Sequence, residues 1–211
     1  MEVTIFNSNF TELKNYYDNI LNKDKSTYKS SNDEPTPIDC ILDMLNPIPD
    51  TFWQKKDLRI LDPCCGNGNF HIPTYFKLKE YHTDQHILEN QLYFNDVNES
   101  RLDNVKKVFD NDTHKLNITQ QDFLTGDFGG KFDLILANPP YAKLLPNGKR
   151  ASKNHNLIKD FLERTLTLLN DGGYLIYITP DNWMSFADRN LLIKRLTELQ
   201  FIHLDIHSAK K

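Results

Sequence analysis

A six-residue apolar run that stops at two consecutive prolines constrains this chain more than any other feature. Residues 132–137 (FDLILA) have the composition of a buried strand, and Asn138-Pro139-Pro140-Tyr141 follow directly. Proline has no backbone N–H and a fixed φ, so the strand must end there in a rigid loop. The sequence therefore predicts an amide and an aromatic ring at the carboxyl end of a strand, where open α/β sheets bind their ligands. The alternative is an ordinary proline-rich turn after a core strand.

A second motif lies upstream, at residues 62–70 (DPCCGNGNF), and it weakens that alternative. Gly66 and Gly68 permit positive φ and let the backbone approach a ligand closely. The dinucleotide fingerprint G-x-G-x-x-G is not completed, because His71 occupies the third glycine position. Asp62, at the end of the preceding predicted strand, favours a cationic ligand instead. S-adenosylmethionine, which carries an ammonium and a sulfonium group, fits this pattern.

The chemistry of the Asn138 loop is hydrogen bonding rather than nucleophilic attack. A side-chain amide and backbone carbonyls can hold a planar –NH2 group, but they cannot attack an electrophile. Methyl transfer to an exocyclic amine needs a group of this kind, because the amine itself is the nucleophile. The two motifs together therefore favour an amino-methyltransferase.

Helices and strands are predicted to alternate along the chain, which indicates a doubly wound, mostly parallel α/β sheet. The predicted strands are residues 58–61, 91–95, 115–120, 132–137, 174–178 and 201–206. The predicted helices are residues 10–22, 36–45, 70–81, 98–109, 157–169 and 188–199. The residues 170–173 (NDGG) are expected to stop the fifth of these helices.

With three further segments, the chain resembles the gamma group of methyltransferases that act on N6 of adenine in DNA. Residues 35–45 (PTPIDCILDML) resemble the family's upstream cofactor motif, and their position before the glycine segment marks the gamma order. Residues 92–96 (LYFND) and 121–124 (QDFL) resemble the ends of the second and third strands. The resemblance covers residues 35–207 and leaves residues 1–34 as an N-terminal extension.

The resemblance implies a Rossmann-like fold of the class I methyltransferase type with S-adenosylmethionine as cofactor. The cofactor-binding residues that it implies are Thr36, Asp62, Pro63, Cys64, Gly66, Gly68, Phe70, Asp96, Asp122 and Phe123. Among these, Asp96 is expected to hold the ribose hydroxyls and Asp122 the adenine amine of the cofactor. Phe123 either packs on the adenine ring or belongs to the core.

The implied activity is that of a site-specific, adenine-specific DNA methyltransferase of a restriction–modification system. Asn138, Pro139, Pro140 and Tyr141 then form the catalytic loop. The Asn138 side-chain oxygen and the Pro139 carbonyl are expected to accept the two N6–H bonds. Tyr141 is expected to stack on an adenine that has been flipped out of the duplex.

Positive charge is concentrated in one segment next to that loop. The net charge of −4 is not that of a self-sufficient nucleic-acid binder. Residues 142–155 contain no acid, and they carry Lys143, Lys149, Arg150 and Lys153. These side chains contact DNA phosphates beside the target base, or they belong to a solvated loop, and both can hold at once.

Sequence specificity is expected to come from elsewhere. Gamma enzymes normally continue beyond this length into a target-recognition region, so the domain at residues 35–211 is expected to be incomplete at its C-terminus. A specificity subunit is the other possible source of site choice.

Composition excludes several other classes of protein. No apolar run approaches the ~20 residues of a membrane span. The N-terminus lacks the features of a secretory signal, so the interior of a bacterial or viral-host cell, the cytoplasm, is the expected location. The three cysteines do not form a disulfide framework, and Cys64 and Cys65 are interpreted as small loop residues. No metal is expected, although His203, Asp205 and His207 alternate as in a solvated edge strand or a metal site.

Two rival functions stay open. Similar N-P-P-Y loops occur in enzymes that methylate a release-factor glutamine or the amines of RNA bases, and only the segment at residues 35–45 favours DNA. The chain could also be a non-catalytic subunit that binds cofactor or docks nucleic acid. The intact Asn138 and Tyr141 argue against that second rival.

Overall fold

Five parallel strands form the central sheet of this protein, as described by a computed structural model for residues 3–27, 34–110, 113–140, 157–179 and 191–206. The strands are β1 (Ile60–Asp62), β2 (Leu92–Asn95), β3 (Asn117–Thr119), β4 (Phe132–Ala137) and β5 (Leu169–Tyr177). Their order across the sheet is β3-β2-β1-β4-β5, and every neighbouring pair is parallel. The strand order therefore reverses between β1 and β4, which is the topological switch point.

Helices flank these strands. They are α1 (Phe10–Asn19), α2 (Ile38–Leu45), α3 (Asp50–Trp53), α4 (His71–Lys79), α5 (Asp84–His86), α6 (Glu99–Phe109), α7 (Leu157–Leu168) and α8 (Leu191–Leu196). Short 3-10 helices lie at Leu21–Lys23 and Lys25–Thr27, and a π-helical turn at Ile87–Gln91 leads into β2. The start of α1 is set by a capping box, in which Asn9 and Glu12 each bind the other's backbone N–H through a side-chain oxygen.

Alternate strand residues pack into two separate cores, one on each face of the sheet. Ile60, Leu134 and Leu136 belong to the first core, whereas Leu61 and Ile135 belong to the second. Helices α1, α2, α4 and α6 cover the first face, and α7 covers the second. A parallel sheet that is buried on both faces confirms the predicted doubly wound class.

The first core also contains residues that the sequence assigned to an N-terminal extension. Ile5, Leu13 and Tyr17 are at most 2% exposed, and they pack with the residues of α2 and α4. Residues 3–19 are therefore part of the same packed unit as the sheet.

The predicted start of the fifth strand, at residue 174, is wrong. The NDGG segment lies inside β5, which begins at Leu169 immediately after α7 ends at Leu168. A Cβ on Gly173 would lie 3.1 Å from the carbonyl oxygen of Asp133, so glycine permits a close approach of β5 to β4 at an irregularity in their pairing. The sequence analysis interpreted these glycines as the stop signal of the preceding helix, whereas they lie within the following strand.

The predicted strand at residues 201–206 is also wrong. These residues form no strand and their large apolar side chains are about half exposed or more, since no neighbouring strand in the described part of the chain pairs with them. The predicted helix before it is described only over Leu191–Leu196. None of the helices within the described ranges is both long and apolar enough to cross a membrane.

Candidate active site

A cleft lies at the switch point of the sheet, where the loops after β1 and β4 meet. The cleft is open to solvent, and its space, including the open part, is about 420 Å³. Eleven residues line it: Glu34, Pro35, Thr36, Cys64, Cys65, Gly66, Asn67, Asn69, Phe70, Arg101 and Asn138. In open α/β sheets ligands bind at this position, outside the carboxyl ends of the strands. The two motifs singled out in the sequence therefore form opposite parts of one site.

The glycine segment turns at the end of β1 through backbone conformations that glycine adopts far more readily than other residues. Gly66 and Gly68 have φ values of 55° and 87°. The backbone N–H of Gly68 donates to the carbonyl of Cys65 at 2.8 Å, and that of Cys65 donates to the carbonyl of Asn95 at 2.8 Å. A Cβ on Gly68 would lie 3.1 Å from the Phe109 ring. The segment is thus a tight turn that is fixed to the end of β2 and packed against α6.

Two carboxylates lie behind this turn. Asp96, 6% exposed, accepts hydrogen bonds from the N–H groups of Gly66 at 2.9 Å and Asn98 at 2.8 Å. Asp62 is fully buried, and its Oδ1 accepts from the N–H of Cys64 at 3.2 Å. Its Oδ2 has no hydrogen-bond partner among the described residues. Burial, together with the charge of Asp96, holds the pKa of the Asp62 carboxyl well above its usual range.

Asn95 ties three strand ends together beneath the site. Its Nδ2 donates to the carbonyls of Pro63 at 2.9 Å and Gln121 at 3.0 Å. Its Oδ1 accepts from the Thr119 hydroxyl at 2.9 Å and from the Gln121 N–H at 3.2 Å. The residue is 1% exposed, so this network is shielded from water and rigid. The loops after β1, β2 and β3 are therefore held in a fixed relation.

The orientation of the Asn138 amide is defined by its neighbours. Its Nδ2 donates to Thr36 Oγ1 at 3.2 Å and to the carbonyl oxygen of Glu34 at 3.4 Å. A carbonyl oxygen only accepts, so the atom that faces Glu34 must be the nitrogen. The Cys64 thiol also donates to the Asn138 main-chain oxygen at 3.5 Å. Oδ1 is consequently the acceptor atom of this side chain, directed differently from Nδ2.

Thr36 connects the two halves of the cleft. Besides its contact with Asn138, its carbonyl oxygen accepts from Asn69 Nδ2 at 2.9 Å. The residue is 6% exposed and precedes α2, whose start Pro37 defines. The upstream motif, the glycine segment and the loop after β4 thus meet at one threonine.

The structure places five of the predicted site residues on the cleft: Thr36, Cys64, Gly66, Phe70 and Asn138. Asp62, Pro63, Gly68 and Asp96 lie directly behind its wall through the contacts given above. Pro139 is buried and Pro140 is exposed. Asp122 is exposed after β3, where its side chain accepts from the Leu124 N–H at 2.9 Å. Phe123 is 2% exposed and packs in the second core, with its ring centroid 5.1 Å from that of Phe161.

Other predicted residues lie outside the described ranges. These are Tyr141, Lys143, Lys149, Arg150 and Lys153, together with His207 of the possible metal group. Among the residues that the structure does describe, no group of three or more metal-ligating side chains is found.

The sequence did not single out several residues that line the cleft. Glu34, Pro35, Asn67 and Asn69 are direct neighbours of predicted residues, so a wider reading of the motifs would have included them. Arg101 is different: it comes from α6 and places Nη1 3.8 Å from the position of a Gly66 Cβ. No local pattern marks that arginine, because only the packing of α6 brings it to the cleft.

Comparison with solved structures defines the class of protein to which this fold belongs. A structure assigned to the class I S-adenosylmethionine-dependent methyltransferases, from Listeria monocytogenes, superposes with a TM-score of 0.68 at 19% identity, over 93% of this chain and 62% of that one. A structure assigned as a modification subunit of a type I restriction enzyme, from Vibrio vulnificus YJ016, gives a TM-score of 0.65 at 14% identity, over 90% and 44%. The fold is that of the class I methyltransferases.

The family follows from the sequence comparisons. The chain belongs to the Eco57I restriction-modification methylase family, which matches residues 4–207. It is 30% identical over 165 residues to the type II methyltransferase M.VspI of Vibrio sp. (strain 343), a match that covers 71% of this chain. The matched region spans 38% of the length of M.VspI. The family match includes residues 4–34, which the sequence interpretation had left outside the resemblance.

Proposed function

We propose that this protein transfers a methyl group from S-adenosylmethionine to the N6 amine of adenine in DNA, within a restriction–modification system. The orientation of Asn138 carries the proposal: its donor atom faces Glu34 and Thr36, so its acceptor oxygen is the atom suited to a target amine. An amide oriented in this way beside a glycine-turn cleft fits amine methylation. Membership of a restriction-modification methylase family supports DNA as the substrate.

The cleft has the features that S-adenosylmethionine requires. Asp62 Oδ2 is buried without a hydrogen-bond partner, and a positive ligand group nearby would compensate for that burial. Asp96 lies directly after β2, and its carboxylate is an acceptor suited to ribose hydroxyls. When bound, the cofactor supplies a methyl group on a positively charged sulfur.

The proposed cofactor contacts differ in how directly the structure supports them. Thr36, Cys64, Gly66 and Phe70 line the cleft, so we place them against the ligand. Pro63 and Gly68 shape the turn. We propose that Asp122, which follows β3, accepts a hydrogen bond from the adenine amine of the cofactor. The burial of Phe123 between the rings of the second core favours its role as a core residue that supports this wall.

The chain's own residues hold and orient the target amine. Asn138 Oδ1 and the Pro139 carbonyl accept its two N–H bonds, which favours a pyramidal nitrogen whose lone pair is available for attack. Pro139 and Pro140 fix the backbone, so little orientation entropy is lost when the amine binds. No strong base is needed, because the nitrogen becomes far more acidic once it is methylated and its proton passes to water. Tyr141 would stack on the flipped base.

For DNA, we propose that Lys143, Lys149, Arg150 and Lys153 contact phosphates beside the target base. The net charge of −4 makes strong, sequence-independent DNA binding unfavourable. We therefore propose that site choice comes from a specificity subunit or from a recognition region outside residues 1–211. The gamma order of motifs and the assignment of residues 35–211 to the catalytic domain belong to the same proposal.

The test is to identify the methylated product. The chain, together with the subunit or region that supplies site choice, is incubated with S-adenosylmethionine labelled on the methyl group and with duplex DNA, tRNA or a release factor, and the products are digested and analysed by mass spectrometry. We expect label in DNA as N6-methyladenine. Label in tRNA or release factor with none in DNA, or label in DNA as N4-methylcytosine, would contradict the proposal.

A further inference from the structure

Asn67, between the two glycines of the cleft, is bound on three sides by side chains from outside the glycine segment. Its carbonyl oxygen accepts from the Tyr17 hydroxyl at 2.8 Å. Its Nδ2 donates to Asn22 Oδ1 at 3.1 Å, and its Oδ1 accepts from Asn104 Nδ2 at 3.1 Å. The segments that supply these partners are far apart in sequence, since Tyr17 precedes Asn67 by 50 residues.

The contacts with Tyr17 and Asn22 are shielded from water. Tyr17 is fully buried, and Asn22 and Asn67 are 6% and 5% exposed. A buried carbonyl or amide that loses its partner is left unsatisfied, so each contact strongly favours this one arrangement of the turn. Burial also raises the pKa of the Tyr17 hydroxyl, which therefore keeps its proton and remains a donor.

Within the turn, the N–H groups of both glycines have partners of their own, and the hydroxyl of Tyr17 is the donor to the Asn67 carbonyl. The N–H of Gly66 is held by Asp96 and the N–H of Gly68 by the carbonyl of Cys65. The Asn67–Gly68 peptide is therefore held at both ends, by Cys65 at its N–H and by the tyrosine of α1 at its carbonyl. That helix is itself fixed, because Leu13 and Tyr17 are both fully buried in the first core.

We propose that Tyr17 and Asn22 are positioning residues for the cofactor turn, and that the N-terminal segment thereby preorganises the binding of S-adenosylmethionine. The inference rests on the assignment of the glycine turn to that cofactor under the proposed function. Asn67 lines the cleft, so a fixed Asn67 fixes the wall that the cofactor contacts. Preorganisation of a wall improves affinity without altering the chemical step.

The experiment measures cofactor affinity and kinetics in the full chain for Tyr17→Phe and Asn22→Ala. Each variant removes one contact to Asn67 and leaves every cleft-lining residue in place. Titration calorimetry with S-adenosylmethionine should show a Kd raised roughly ten-fold. In the methylation assay KM for the cofactor should rise by the same factor, while kcat at saturating cofactor stays at the wild-type value.

Tyr75→Phe is the matched control. Tyr75 is also fully buried, and its hydroxyl donates to Asp84 Oδ1 at 2.7 Å, away from the cleft. We expect Tyr75→Phe to lower Tm in the manner of Tyr17→Phe but to leave cofactor affinity unchanged. If Tyr17→Phe does not fold, the cofactor affinity of Asn22→Ala tests the positioning role.

Two further outcomes separate this inference from the proposed function. If Asp96→Ala weakens cofactor binding but Tyr17→Phe and Asn22→Ala do not, the positioning role is wrong and the cofactor site stands. If all three variants bind the cofactor as the wild type does, the turn is not the cofactor site. A fall in kcat with unchanged KM in Tyr17→Phe would also overturn the inference.

Discussion

Asn138 Nδ2 donates a hydrogen bond to Thr36 Oγ1 at 3.2 Å across a separation of 102 residues. The carbonyl of the same threonine accepts from Asn69, so one buried residue connects the loop after β4 with the glycine turn after β1. The position of the proposed catalytic amide therefore depends on the segment before α2. The proposed cofactor site and the proposed target-amine site are therefore parts of one hydrogen-bonded unit.

Thr36→Val should lower kcat roughly 10- to 100-fold, because the amide loses one of its orienting partners while the side-chain shape is kept. Cofactor affinity should change much less, because valine keeps the backbone and the shape with which residue 36 faces the cleft. Single-turnover kinetics and calorimetry measure the two effects separately. The matched control is Thr165→Val. Thr165 is fully buried on α7, and its hydroxyl has no hydrogen-bond partner among the described residues, so its replacement should leave kcat unchanged. The reverse pattern, lost affinity with normal kcat, would assign the Thr36 hydroxyl to the cofactor.

Asp96→Ala should weaken S-adenosylmethionine binding by about 1.5–3 kcal/mol, the usual contribution of hydrogen bonds to a charged group. Calorimetry measures the change directly. Asp84→Ala is a suitable control, since Asp84 accepts from the Tyr75 hydroxyl away from the cleft. Unchanged affinity in Asp96→Ala would remove this carboxylate from the site.

Asp62→Asn should stabilise the free chain and weaken cofactor binding. Burial raises the pKa of the Asp62 carboxyl, so the folded protein favours the protonated form. The stability that this form allows is fully present below the unfolded-state pKa, and it is lost as pH rises through the folded-state pKa. The gain in unfolding free energy should therefore be larger at about pH 8 than at about pH 4, as urea denaturation would show. Equal stabilities at both values, or wild-type cofactor affinity, would contradict the account.

His71 should make the fold sensitive to acid. Burial lowers the pKa of the His71 imidazole to about 4. Its Nε2 lies 2.9 Å from the Tyr93 carbonyl oxygen, which can only accept, so Nε2 carries the hydrogen. Nδ1 is therefore the unprotonated nitrogen, and it is buried without a partner among the described residues. The stability that a neutral imidazole allows is present above the unfolded-state pKa and is lost as pH falls through the folded-state value. About 3 kcal/mol should be lost between about pH 6.5 and 4. Denaturant titrations of His71→Gln should show a flatter pH dependence, and an unchanged slope would exclude His71 as the cause.

Local patterns in the sequence were sufficient for the central elements. The bounds predicted for the strand at residues 132–137 agree with β4 (Phe132–Ala137), because two prolines end an apolar run unambiguously. The glycines of the turn were singled out for their backbone freedom, whereas the upstream Thr36 came from the family resemblance of residues 35–45.

Long-range packing accounts for what the sequence did not predict. Tyr17, Asn22 and Asn104 reach Asn67 from three different segments, and nothing in their local sequence marks that contact. The early start of β5 depends on the approach of Gly173 to the Asp133 carbonyl, which exists only once β4 and β5 are paired. Such contacts are properties of the assembled sheet.

The orientation of Asn138 is the central claim, and Asn138→Ala tests it most directly. Methyl transfer is followed in a single turnover with saturating S-adenosylmethionine, and cofactor affinity is measured on the same preparation. We predict that transfer to the target amine is abolished while the cofactor Kd stays close to the wild-type value, because the proposed partner of Oδ1 is the amine. Near-normal turnover in Asn138→Ala would show that this oxygen does not hold the amine, and the proposed mechanism would be wrong.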